Sequence, residues 1–210
     1  MKKAKHLFVK SGHGNPMRPV IAFWAGPNGI EGHVYCQPLR QVLIVPTQVL
    51  REFKLEPGDL RENIVIDGFD LHKLESGTVI QIGNVRIRLT FHCEPCGKIT
   101  DRVSPRKITH KRGVLGSFLN SGVISVGDAV LVGGKSFDSI PYRIADRIKW
   151  YLDKQDKPVP VSKLVFDIGL PNSYCRAIPN LVKNRDDIRK ELILYNGGAR
   201  KKSINGSTAG

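Results

Sequence analysis

Nowhere in the 210 residues does an apolar run approach the roughly 20 residues needed to span a bilayer. At the N-terminus, Lys2, Lys3 and Lys5 are followed only by Leu7-Phe8-Val9 before Lys10 interrupts, too short for the core of a secretory leader. These two absences predict a cytoplasmic protein with no membrane partner. Acidic residues are scarce beside basic ones, 19 against 33, a formal charge of +14. The excess divides evenly about Gly133, so the shorter C-terminal part is the more densely charged. A surplus of this sign favours anionic partners, nucleic acid first and anionic cofactors next. Cysteines are few, at positions 36, 93, 96 and 175. In a cytosolic setting thiols stay reduced, so the close pair Cys93 and Cys96 points to metal or redox chemistry more than to a structural disulfide. No internal repeat is visible.

What is present divides into two textures. Residues 1–135 read as β-rich. Val20 to Trp24 and Val42 to Val45 are short apolar runs, and Val85, Ile87, Leu89 and Phe91 alternate with Arg86, Arg88 and Thr90, the period of a strand with one buried face. Ala129 to Val132 predicts a further buried strand. One helix is expected after Thr47 as its cap, with Val49, Leu50 and Phe53 inward. Short strands separated by turn residues predict a barrel or sandwich. Beyond Gly133 the spacing turns helical: Ile144, Ile148 and Leu152 mark one helix, and Leu164, Val165 and Ile168 a short second that ends at Gly169. Tyr174, Ala177, Ile178, Leu181 and Val182 mark a third. That order is the order of a helix-turn-helix. Residues 196–210, rich in Gly, Lys and Ser, predict a disordered basic tail.

Cys93-Glu94-Pro95-Cys96 follows the alternating strand directly, where functional groups sit on a rigid base. Three chemistries fit a close thiol pair. Structural zinc needs a second ligand pair, and Cys36 and Cys175 are isolated. A thiol–disulfide motif opens a helix, whereas here a strand precedes and Gly97 follows. The third is a single thiolate on a soft transition metal.

Several segments together resemble the MOSC domain family, named for the C-terminal domain of molybdenum cofactor sulfurases. They are Gly29-Ile30-Glu31-Gly32, Arg40-Gln41-Val42, Leu55 to Val65, Gly77 with Ile82-Gly83, Glu94-Pro95-Cys96, Arg112-Gly113-Val114 and Gly122 to Asp128. The resemblance implies an α+β fold built on a MOSC-type β-barrel over residues 1–135, and a molybdopterin-type molybdenum cofactor ligated by Cys96. Cys93 is then a neighbour. Such a cofactor carries a phosphate and many ring donors and acceptors, which call for guanidinium and amide groups. Arg61 and Asn63 supply one of each, and Arg40, Arg112 and the basic loop from Lys98 supply more. Family members commonly place an acidic residue after Gly-Ile-Glu-Gly; here that position is His33, a candidate neighbour of the cofactor. His13, in the glycine-rich segment near the N-terminus, is a second candidate to approach the cleft, a surface or packing role being the alternative.

Residues 136–195 are similar to the winged-helix DNA-binding part of alkylguanine DNA alkyltransferases, chiefly over Gly169 to Ile178 with Asn180 and Asn184. The similarity implies DNA contacts from Asn172, Ser173, Arg176 and Lys183, with Arg176 at the position that holds an opened base stack. The acceptor motif Pro-Cys-His-Arg is absent after residue 184, which excludes alkyl transfer. Val161 stands near the family's tyrosine. Pro179 falls inside the expected third helix, where it should kink or end it.

Together the resemblances imply a molybdenum-dependent oxidoreductase that reduces N-hydroxylated compounds, nucleobase-like ones included. On that expectation the metal, held by Cys96, would accept the substrate oxygen, and an external electron-donor protein would restore the electrons. The competing expectation is a non-catalytic DNA-binding or damage-recognition protein whose β part is a scaffold or a carrier of cofactor or sulfur.

Overall fold

The computed structural model describes residues 2–195; the expected tail from 196 onward lies outside them. The strands and helices run β1 (Lys3–Val9), β2 (Arg18–Val20), β3 (Ala22–Gly26), β4 (Gly29–Ile30), β5 (Val42–Pro46), α1 (Thr47–Phe53), β6 (Ile64–Asp67), β7 (Thr78–Ile82), β8 (Val85–His92), α2 (Pro105–Ile108), β9 (Val114–Phe118), β10 (Gly122–Ser125) and β11 (Val130–Lys135). Then come α3 (Ile144–Leu152), β12 (Val159–Pro160), α4 (Val161–Asp167), α5 (Ile178–Val182) and β13 (Ile193–Leu194).

The fold is mixed α+β, a curled half-barrel of sheet with a few helices. Eight strands hydrogen-bond in the order β11-β7-β8-β9-β5-β6-β1-β2, and β10-β3-β4 form a second sheet. At the centre of the large sheet, β5 is buried along its whole length. That explains its unbroken apolar run Val-Leu-Ile-Val, since a strand covered on both faces has no polar side. β5 pairs in parallel with β6 and antiparallel with β9. Alternate side chains of β5 to β9 enter two different cores. Ile44, Ile64, Ile87 and Leu89 face the interior between the sheets with Phe23 and Ile124. Leu43, Val45, Val65, Phe91 and Leu115 face outward, under α1 and the loop that contains Ile99 and Ile108.

Several local expectations are corrected. The run Val20 to Trp24 is not one strand: β2 pairs with β1 and β3 with β10, so the chain changes sheets at Ile21, which is 86% exposed. In β11 only Val130 is buried and Leu131 is 60% exposed, because β11 is the edge strand. Thr47 does not cap α1; its hydroxyl donates to Asp67 Oδ1 at 2.7 Å, and Pro46 holds the cap position.

The C-terminal helices enclose a third core, with Ile148, Leu152, Leu164, Val165, Ile168, Ile178 and Ile193. Trp150 touches both this core and the outer core of the sheet. α4 ends at Gly169, whose φ of +75° favours glycine, and a Cβ there would lie 3.1 Å from Arg40 Cγ. The expected single helix over 174–182 is divided into a 3-10 turn, Asn172–Arg176, and α5. Pro179 sits in the first turn of α5, where its missing N–H leaves no bond unmade. β12 and β13 pair in parallel over two residues, not as the antiparallel hairpin that forms a wing. Among the described residues no helix is long and apolar enough to cross a membrane.

Candidate active site around Cys96

β8 and β9 are antiparallel neighbours, so the end of one lies beside the start of the other. The Cys93 N–H donates to Gly113 O at 2.9 Å, carrying the pairing one step past β8 and releasing the chain into Glu94-Pro95-Cys96. A 3-10 turn, Gly97–Ile99, then buries Ile99 and returns the chain to the protein. This geometry places Cys96 against Arg112, the residue two before β9.

Arg112 is buried, and its guanidinium is shared out within the site. Nη1 donates to Glu94 O at 2.8 Å and to Cys96 Sγ at 3.1 Å, and Nη2 to Leu60 O at 3.3 Å. Burial alone would raise the Cys96 thiol. The charge and hydrogen bond of Arg112, with the backbone N–H and charge of Lys98, outweigh it and hold the thiol below its ordinary value. Burial dominates at the other two thiols of this region. Cys93 is only 2% exposed and is pushed up. Cys36, whose Sγ donates to Val34 O, is also pushed up, against the opposing charges of Arg40 and Lys98. Of these three, only Cys96 is shifted toward thiolate.

Lys98, whose charge acts on Cys96, belongs to a group of cations with Lys10 and Arg61. Lys10 is buried along its stem, and its ammonium is held below the usual lysine value by burial and then by the nearby charges of Arg61 and Lys98. Arg61 has φ +64°, a left-handed conformation uncommon outside glycine, in the loop before β6. Glu62 builds that loop: its side chain is fully buried and Oε1 accepts the Gly58 N–H at 2.6 Å. Burial pushes its carboxyl up despite the hydrogen bonds from Gly58 and the backbone of its own loop.

His33 joins the same region through Lys10, whose backbone N–H donates to His33 Nδ1 at 2.9 Å. A neutral ring therefore carries its proton on Nε2. Burial, and then the Lys10 charge, hold His33 below the ordinary histidine value. Asn63 is committed to the protein. Its Oδ1 accepts the Leu43 N–H at 3.0 Å, and its amide nitrogen donates to Phe8 O at 3.3 Å and lies 3.4 Å from both His33 ring nitrogens. It ties β5 to β1 and props His33, rather than offering a free amide.

Arg40 is the last residue of the 3-10 turn Pro38–Arg40. Its Nη1 lies 3.5 Å from Glu94 Oε2 and donates to Gly169 O at 3.1 Å. On the other side, Glu94 Oε1 accepts from Arg147 Nη2 at 3.1 Å. Sequence reasoning missed Lys10, Glu94 as an ion-pair partner, and Arg147. The last was legible: Ile144, Arg147, Ile148 and Tyr151 share one helical face, so an arginine there points into the core.

His13 lies on the exposed loop between β1 and β2. The residues expected to contact DNA form a separate group on the helical part. Asn172, Ser173 and Arg176 are exposed on the 3-10 turn, and Lys183 is exposed at the end of α5. A surface cavity of about 420 Å³ lined by Trp24, Pro27, Glu31 and Ser121 holds none of the groups around Cys96. Among the described residues no group of three or more His, Cys, Asp or Glu side chains converges as a metal site. A zinc centre would lack its ligand set there, and a metal at Cys96 would have one protein thiolate plus ligands it brings with it.

Residues 32–131 match the family model described as the MOSC domain. No curated protein matches the chain. Among solved structures, the chain is similar to YiiM from Geobacillus stearothermophilus, 16% identical with a TM-score of 0.57, over 87% of this chain and 100% of that one. YiiM from Escherichia coli is 20% identical with a TM-score of 0.51, over 86% and 92%. The YUAD protein from Bacillus subtilis is 17% identical with a TM-score of 0.54, over 64% of this chain and 97% of that one. At these identities the likeness is one of fold.

Proposed function

From the match of residues 32–131 to the MOSC domain model, we propose that this protein holds a molybdopterin-type cofactor through Cys96 and reduces N-hydroxylated compounds, nucleobase-like ones included. The observation that carries the reading is the Cys96–Arg112 pair: a thiol biased toward thiolate, 3.1 Å from a buried guanidinium, with the Lys98 charge acting on it and Lys10 close to both Lys98 and Arg61.

The donor set fits the group. A soft metal that arrives with its own sulfur ligands needs one protein thiolate, and a phosphate-bearing organic part needs cations with no carboxylate of their own. Cys96 would ligate the metal, and Arg61, Lys98 and the Lys10 ammonium would receive the anionic portion. When bound, the group supplies two-electron chemistry at the metal. In the net reaction the N–O bond breaks, the oxygen leaves as water, and two electrons from an external protein donor and two protons from solvent complete the balance. Within the chain, Arg112, anchored on Glu94 O and Leu60 O, holds its guanidinium against Cys96 and favours the thiolate. His33 is held in orientation by the Lys10 N–H at its Nδ1, so a neutral ring there carries its proton on Nε2.

The test is elemental and pterin analysis of protein produced in cells able to make the cofactor. Wild-type protein is expected to carry both molybdenum and pterin, and Cys96→Ala to lose the metal. Absence of both from wild type would overturn the reading.

The exposure of Asn172, Ser173, Arg176 and Lys183, on the more densely charged part of the chain, favours a second reading in which the helical part binds DNA. Duplex affinity is then expected to fall steeply with salt. It should weaken in Arg176→Ala and Lys183→Ala; binding unchanged in both would remove this surface as the contact.

A further inference from the structure

Glu94 is where three arginines from distant parts of the chain meet. Its backbone carbonyl accepts from Arg112, which holds Cys96. Its carboxylate lies between Arg40 and Arg147. Arg147 comes from α3, beyond the residues matched to the MOSC domain. It is 0% exposed. Nε donates to Pro141 O at 2.9 Å, Nη1 to Ile168 O at 3.2 Å, and Nη2 to Tyr142 O at 2.7 Å as well as to Glu94. The guanidinium also lies over the Phe91 ring, 3.5 Å from its centroid. A buried cation fixed by three carbonyls and an aromatic face cannot swing to solvent, so the carboxylate it holds is fixed too. The same seam recurs beside it. Arg40 donates to Gly169 O and Gln37 to Leu170 O, both at the end of α4.

We propose that Arg147 is a positioning residue for the Cys96 site: through Glu94 it sets the Glu94-Pro95-Cys96 loop and the Arg40 side chain, so the helical segment is a working part of the site and not an appended module. This rests on the reading of Cys96 as the site, but the coupling itself is a property of the chain. Its two chemical requirements are a cation facing Glu94 Oε1 and a fork able to bridge Pro141, Tyr142 and Ile168. Methionine at 147 meets neither requirement, and lysine meets only the first.

The experiment uses the full chain and follows hydrogen–deuterium exchange by mass spectrometry in peptides spanning 92–99, with pterin content measured alongside. In Arg147→Met, exchange across 92–99 is expected to quicken by about tenfold or more, with pterin content falling with it. Arg147→Lys is expected to recover part of the protection. Leu164→Ala opens a cavity in the same helical core without touching Glu94, so it should quicken exchange within 140–193 and leave 92–99 as in wild type. Should Arg147→Met fail to fold, Glu94→Gln tests the same ion pair from the sheet side, with the same loosening of 92–99 expected. Exchange at 92–99 unchanged in the folded variant would overturn the proposal and leave Arg147 a packing residue. Wild-type protein without pterin would defeat the cofactor reading, while the exchange result would still decide the role of Arg147.

Discussion

Arg112 serves two carbonyls and a thiol with one guanidinium, and its charge draws the Cys96 thiol below its ordinary value. Replacing it with methionine removes the charge that offsets burial, so the thiol should return toward or above its ordinary value. In cofactor-free protein at pH 7, alkylation of Cys96 by iodoacetamide is expected to slow several-fold in Arg112→Met, read by peptide mass spectrometry; an unchanged rate would show that the guanidinium does not ionise the thiol. His33 makes a second residue-scale prediction. Burial holds its folded value below that of the unfolded chain, so the folded state binds the proton less readily. The stability this contributes is present above about pH 6.5 and is lost as the pH falls through the lowered folded value. His72 is also lowered, by burial and by the His92 charge, and acts in the same direction. His33→Gln is therefore expected to show a smaller fall in Tm than wild type between pH 7.5 and 5.5. An identical fall would place the acid sensitivity elsewhere.

Among elements, the seam between sheet and helices is the exacting place. Gly169 ends α4 in a left-handed conformation with Arg40 and Phe91 against its missing side chain. Gly169→Ala should cost about 2 kcal/mol by urea unfolding, from the unfavourable φ and the crowding together. Leu131→Ser, on the exposed edge strand, should stay within about 0.5 kcal/mol of wild type. These two positions also show what was legible in the sequence. Period-two alternation placed β8, and the apolar run Val42 to Val45 placed β5, because burial on one face or both leaves a local trace. Leu131 misled because an edge strand can carry the composition of a buried one; its exposure depends on which strand is missing beside it. Thr47 misled in a similar way, since Asp67, twenty residues on, took its hydroxyl.

At the scale of the molecule, motifs exposed the site more readily than they exposed its supports. The Glu-Pro-Cys motif and the arginines at 40, 61 and 112 were named through the family resemblance, whose short segments recur in order along the chain. Lys10 and Arg147 could not be joined to Cys96 without the fold, since β1 and α3 approach it from opposite ends of the sequence. Asn63 turned out to be a strut because its amide is consumed by β1, β5 and His33. Two groups of cations stand apart in the fold, Arg112 with Lys98 at Cys96 and the exposed Arg176 and Lys183 on the helical part. The central claim belongs to the first of these. Molybdenum and pterin per chain, measured in parallel for wild type, Cys93→Ala and Cys96→Ala from cofactor-competent cells, tests it most directly. Metal and pterin in wild type and Cys93→Ala, with metal lost only in Cys96→Ala, is the expected result; metal retained without the Cys96 thiol would contradict it.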